Sequence, residues 1–209
     1  MRRLAAVLAL TFALLSFAVL PAVAGGPNNV VLSEATASPE GAPATVERSS
    51  FQVLPTRTDE LTSRNLAQAY SHDCTGCRAV AVALQAVIVT GDPSTVAPVN
   101  VSAAVNERCS ACATYAFAYQ YVVSADRPDE VSASTRRTLW QLRREADDLA
   151  HSGLPFPELD AKLRNVAARL KATVDAELAR DGAKRRDDRE DEHTDVAAPD
   201  SAPAPAATP

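Results

Sequence analysis

Residues 65–89 (NLAQAYSHDCTGCRAVAVALQAVIV) and 100–124 (NVSAAVNERCSACATYAFAYQYVVS) are two copies of one unit, offset by 35 positions. All four cysteines of the chain lie in these copies as two CxxC pairs, Cys74/Cys77 and Cys109/Cys112. The copies also share Asn65/Asn100, Ala69/Ala104, Ala81/Ala116, Ala83/Ala118, Gln85/Gln120 and Val87/Val122. Self-similarity at a fixed period marks one supersecondary unit used more than once. The reading drawn from two copies is a pair of halves buried against each other about a local two-fold.

Within each copy, the stretch after the cysteines has period two. Val80, Val82, Leu84 and Ile88 alternate with Ala81, Ala83, Gln85 and Val87, and Tyr115, Phe117, Tyr119 and Tyr121 alternate with Ala116, Ala118, Gln120 and Val122. Alternation with β-branched and aromatic residues on one side predicts strands. Alanine content keeps a helix over 78–89 as the alternative. Leu66–Tyr70 and Val101–Val105 are shorter strand candidates. A strand, a turn and a strand place CxxC at a hairpin tip, with Thr75-Gly76 and Ser110-Ala111 as central turn residues and Asp73 opposite Arg78. The expectation is therefore an α+β fold with a four-stranded antiparallel sheet made from a duplicated β-hairpin. Counting outward from the tip puts Leu66, Tyr70, Cys74, Cys77, Ala81, Ala83 and Gln85 on one face, and Val80, Val82 and Leu84 on the other.

A two-helix antiparallel hairpin is predicted to follow. Ser132 or Ser134 serves as N-cap, Leu139, Leu142, Ala146 and Leu149 recur at helical spacing, and Gly153 suits the C′ position. Pro157 then opens a second helix striped by Leu159, Leu163, Val166, Leu170, Val174 and Leu178. The expected bounds are about 134–151 and 157–181. Trp140 lies beside the stripe and is the candidate contact for a helix-mediated oligomer.

The ends read differently. Arg2-Arg3, an apolar run to Leu20 and Ala22-Val23-Ala24 form a signal peptide pattern over 1–24, so the expected site of action is secreted or at the cell surface, with no membrane span after cleavage. An uncleaved anchor is the alternative. Cleavage would lower the basic count from 21 to 19 against 26 acidic residues, moving the formal net charge from −5 to −7. Such a balance disfavours nucleic acid as a partner. Residues 25–54, rich in proline and polar groups, are expected to form a disordered spacer, 55–182 a single domain, and 183–209 a disordered charged and then Ala/Pro-rich tail.

The chemistry rests on the cysteines. In an exported domain an even number of paired cysteines implies disulfides, and the hairpin register favours Cys74 with Cys77 and Cys109 with Cys112. Two alternatives stay open: a four-thiolate structural zinc site on two knuckles, with His72 as an extra ligand whose repeat counterpart is Glu107, and a thiol–disulfide redox pair. No catalytic residue set, cofactor or dedicated metal ligand set is expected. Gln85 and Gln120 are candidate amides, either clamping a ligand backbone or bonded within the fold.

The twice-used pattern NxxxA(x4)CxxC(x3)AxAxQxV resembles that of a group of uncharacterised exported actinobacterial proteins, over about residues 60–180. Some of that group carry the label of peptide zinc metalloproteases by association. This chain has no HExxH, so a protease activity would belong to a neighbour or fusion partner. The expected function is an exported, non-enzymatic accessory or protein-binding module stabilised by disulfides, with an unknown protein as partner.

Overall fold

The computed structural model describes residues 29–38, 44–125 and 131–194. Six strands come first: β1 (Asn29–Ala37), β2 (Thr45–Arg57), β3 (Glu60–His72), β4 (Arg78–Thr90), β5 (Thr95–Glu107) and β6 (Ala113–Ala125). Two helices follow, α1 (Ala133–Ala150) and α2 (Phe156–Thr194). The strands form two three-stranded sheets, β1-β3-β5 (sheet A) and β2-β4-β6 (sheet B), and every pairing in both is parallel. The chain thus winds as a two-sheet parallel solenoid of three coils, each coil placing one strand in sheet A and the next in sheet B.

This arrangement overturns the four-stranded antiparallel sheet expected from the sequence. Strands β3 to β6 fall on the segments where the period-two pattern puts strands, but β3 does not pair with β4 as a hairpin. It pairs with β5, residue for residue at the repeat offset: Asn65 with Asn100, Ala69 with Ala104, His72 with Glu107. Likewise β4 pairs with β6, Ala81 with Ala116 and Gln85 with Gln120. The copies are therefore related by a step along the coil axis and not by a two-fold. Residues 29–37 and 45–57, all but the last three of them inside the 25–54 stretch read as a disordered spacer, supply a first coil in register with the second (Asn29 with Ser63, Gln52 with Gln85). Its composition hides it: it lacks cysteine, and Pro55 sits in β2. That proline is tolerated because β2 is an edge strand, as is β5 with Pro98. The signal-peptide segment 1–24 lies outside the described residues, and α2 runs on to Thr194, past the expected helix end.

Each face of β4 meets a different layer. Val80, Val82, Leu84, Ala86 and Ile88 face the helices and pack with Leu139, Leu142, Ala146, Leu159, Leu163, Val166, Leu170 and Val174. The helical stripes read from the sequence are thus core, laid on the outer face of sheet B. Ser132 caps α1, its Oγ accepting from the Thr135 amide at 3.3 Å. Glu177 of α2 secures the same turn, accepting from Ser132 Oγ (2.9 Å) and Thr135 Oγ1 (2.6 Å). Burial pushes the Glu177 carboxyl up, but those hydrogen bonds and the Arg180 charge outweigh it and hold it below its usual range. Tyr115 Oη donates to Asp160 Oδ1 at 2.9 Å and ties α2 to β6.

The other face of β4 looks into the solenoid, where Ala79, Ala81 and Ala83 meet Ala67 and Ala69 of β3 and Ala37 of β1. Leu66 and Tyr70 do not share this face, contrary to the count from a hairpin tip. The interior residues of β3 are Leu61, Ser63, Asn65, Ala67, Ala69 and Ser71, buried at every second position.

An interior lined by methyl groups has no room to relax around a larger side chain. Ala83→Leu is expected to cost about 1–3 kcal/mol in chemical denaturation while the far-UV spectrum stays that of a β/α protein. An unchanged midpoint would mean that the two sheets do not meet through alanine.

Candidate functional site

The CxxC corners lie where the chain leaves sheet A and enters sheet B, at residues 73–77 and 108–112. The two corners have the same backbone. Asp73 and Arg108, one before each first cysteine, have φ of 52° and 46°; Gly76 and Ala111, one before each second cysteine, have φ of 71° and 53°. Two left-handed residues three apart turn the strand out of one sheet and into the other. A tight two-residue hairpin turn of type I′ instead needs positive φ at both central residues, and Thr75 and Ser110 do not have it.

The corners stack as the strands do. The Asp73 amide donates to Glu107 O (3.0 Å), Ser110 to Cys74 O (3.1 Å), Gly76 to Ser110 O (2.9 Å) and Ala113 to Cys77 O (2.8 Å). The ladder therefore continues through the turn, with Thr75 and Ser110 bridged in parallel. Asp73 does not pair with Arg78. It accepts from the Arg108 guanidinium above it, Nη2 to Oδ2 at 2.8 Å, and that hydrogen bond holds the Asp73 carboxyl well below the usual carboxylate range. Arg78 instead donates to Glu47 Oε1 (3.2 Å) and Leu154 O (3.0 Å), with its guanidinium over the Phe156 ring.

Both cysteine pairs are disulfides, Cys74–Cys77 and Cys109–Cys112, with Cα separations of 6.2 and 5.8 Å. These are the pairings expected from the sequence, reached through a corner and not a hairpin tip. Cys74 and Cys77 are buried in the alanine-lined interior, and Cys109 and Cys112 are half-buried at the third coil. The bridges lie against each other: Cys74 Sγ is 3.2 Å from Cys109 Sγ and 3.6 Å from Cys112 Sγ. The sulfurs of Cys74, Cys109 and Cys112 lie within 4.8 Å of one another, and Cys77 does not join that group. A tetrahedral four-thiolate site needs all four converging, and corners related by a step along one axis do not bring Cys77 in. His72 is at the corner beside Tyr70 and Asp73, stacked on the Tyr70 ring and outside the sulfur group.

The two candidate amides belong to a ladder that sequence reasoning saw only in part. Gln120 Nε2 donates to Gln85 Oε1 (2.7 Å), and Gln85 Nε2 donates to Gln52 Oε1 (3.0 Å). Ser63 of the opposite sheet bridges them, donating to Gln85 Oε1 at 2.9 Å and accepting from Gln120 Nε2 at 3.0 Å. Gln85 is fully buried. The pair is thus bonded within the fold and does not form an open clamp. Asn65 and Asn100 make a second ladder: Asn65 Nδ2 donates to Asn100 Oδ1 (2.8 Å) and to Ala83 O (3.0 Å), and Asn100 Nδ2 to Ala118 O (3.1 Å). Among the described residues Asn65 Oδ1 is buried without a partner; the register neighbour on the first coil is position 31, a valine. Gln52 was missed because the first coil is offset from the second by 34 positions in sheet A and 33 in sheet B, not 35, and shares no cysteine with it.

No protein-family model, characterised protein or solved structure matches the chain.

Ala111 holds a left-handed backbone that costs a non-glycine residue about 1–2 kcal/mol, while its counterpart is Gly76. Ala111→Gly is expected to stabilise the fold by up to about 1 kcal/mol, read as a higher denaturation midpoint. A lower midpoint would mean that the second corner does not copy the first.

Proposed function

We propose that this chain is an exported, non-enzymatic accessory module, a disulfide-braced solenoid that presents the outer face of sheet A to a protein partner at the cell surface or outside the cell. The observation that carries this reading is the uneven covering of the two sheets. Parallel sheets are ordinarily covered on both faces. The helices cover sheet B, and among the described residues nothing packs on the outer face of sheet A. The register there aligns Leu32, Leu66 and Val101 in one column and Tyr70 with Val105 in another. Leu32, Val99, Val101 and Val105 are 41–48% exposed. Exposed apolar side chains gathered on one sheet face, around the polar Glu34/Gln68 column, are the makings of a protein contact.

The cysteines support a role in shape. Each pair closes a four-residue loop, which by chain entropy is worth about 2 kcal/mol, and each corner is held by backbone bonds to the neighbouring coil. The leader pattern and the disulfides together support export.

A second reading has its own observation. The half-buried Cys109–Cys112 bridge touches the buried Cys74–Cys77 bridge at 3.2 Å, so a thiolate formed at the outer pair would have the inner pair within reach. Such a protein would act as an extracytoplasmic thiol–disulfide exchanger.

Alkylation under mild reductant, followed by intact mass, separates the two. The module reading expects no alkylation of the native protein and labelling of all four cysteines after unfolding and reduction. Ready opening of Cys109–Cys112 in the native state, with reduction of a disulfide substrate, would establish the exchanger instead.

A further inference from the structure

The two ends of the solenoid are built differently. At the first coil, β2 carries Arg48 at a register position facing the interior: it pairs with Ala81, which is buried between the sheets. Arg48 itself is exposed, reaching out at the end of the stack, where its Nη1 donates to Glu47 O at 3.0 Å. An inward-register charge on an edge strand is one of the devices by which proteins prevent edge-to-edge pairing. At the third coil the device is missing. The residue in the same column is Ala116. Across β5 and β6 the only charged residue is Glu107, at the very end of β5. Nearly all of β5 is exposed, interior-register residues such as Asn100, Ser102 and Ala104 included. Among the described residues no strand pairs with the outer edge of β5 or of β6. Pro98 withholds a single backbone donor from that edge.

We propose that two copies of this chain join end to end, third coil against third coil, with their open edges pairing antiparallel about a two-fold axis. Three considerations select a second copy in this orientation. Joining the third coil to the first coil of another copy would bury Arg48 over Ala116 without a counter-charge, which is costly, whereas joining third coil to third coil buries no charged residue of the strand interiors. A two-fold contact also closes on itself, which fits a chain with one guarded end and one unguarded end. The size is adequate as well. Strands of 13 residues are roughly 43 Å long, and two sheets spaced about 10 Å apart with their side chains give an end face on the order of 600 Å² per partner, near the ~800 Å² of a standard interface.

The test is the oligomeric state of the purified chain by light scattering and sedimentation over a range of concentrations, with two altered edges and one altered helix. The intact protein is expected to reach a dimer and stop. Ala116→Arg, which copies the first-coil guard onto the third coil, and Ser102→Lys, which places a charge on the interior register of β5, are each expected to give a folded monomer. Trp140→Ala, on the exposed face of α1, is expected to leave the dimer intact. Should both edge variants misfold, hydrogen exchange of the unaltered protein decides: amides of 95–107 and 113–125 are expected to slow several-fold at high concentration, and those of β1 and β2 are not. A monomer at every concentration, growth beyond a dimer, a dimer that survives both edge variants, a dimer abolished by Trp140→Ala, or exchange that does not respond to concentration would each overturn the proposal.

Discussion

Like residues stacked on like residues, one coil above the next, are the constraint from which the rest of this structure follows. In a parallel in-register array each residue meets its own repeat equivalent, so where the equivalents are alike a buried amide meets an amide. Gln52, Gln85 and Gln120 satisfy one another in this way, each coil donating to the one before it. A buried glutamine without such partners would cost several kcal/mol; stacked, it fixes register, because a slip of one residue would turn every interior side chain outward. The same logic places Arg108 over Asp73 and one disulfide against the other. The cysteines are therefore one rung among several, set where the backbone must turn from sheet to sheet.

The interior between the sheets is alanine, serine and amides over most of its length, closing at one end on Leu61, Val87, Val89 and Val122, while Val80, Val82 and Leu84 of β4 and Phe117 of β6 point the other way, toward α1 and α2. Burial of large apolar side chains is thus concentrated in the layer between sheet B and the helices, and the solenoid interior contributes close packing and hydrogen bonds. This division explains why the helices are needed. Without them Val80, Val82, Leu84 and Phe117 would be in water, and three coils of small residues would bury little apolar area. Among the described residues it also leaves sheet A with an uncovered face.

The positions of β3 to β6, the helical pair, one of two candidate caps (Ser132) and the disulfide partners were legible in the sequence, because each depends on local periodicity or close spacing. Topology was not. An antiparallel hairpin and a corner between sheets both demand small or turn-forming residues between two alternating runs, and CxxC with Gly76 suits either. Two signals pointed to the parallel answer. Residues 79–89 form an apolar run interrupted only by Gln85, and β4 is buried along nearly its whole length, as a central strand of a covered parallel sheet is. The polar matches between the copies, Asn65/Asn100 and Gln85/Gln120, are the residues that a stacked array needs to be identical. The first coil was hidden for a different reason: its offset differs by one residue in sheet A and two in sheet B, and it carries Glu47, Arg48 and Pro55 opposite Val80, Ala81 and Ile88, so its relation to the other coils is visible only in the register.

Spin labels on the outer face of sheet A test the stacking most directly. Labels at Thr62 with Ala97, and separately at Gln68 with Ala103, occupy register partners toward opposite ends of β3 and β5. Parallel in-register coils predict strong dipolar broadening for both pairs, since neighbouring strands lie about 4.8 Å apart. Broadening in only one of the pairs, or in neither, would contradict the parallel solenoid and the account built on it.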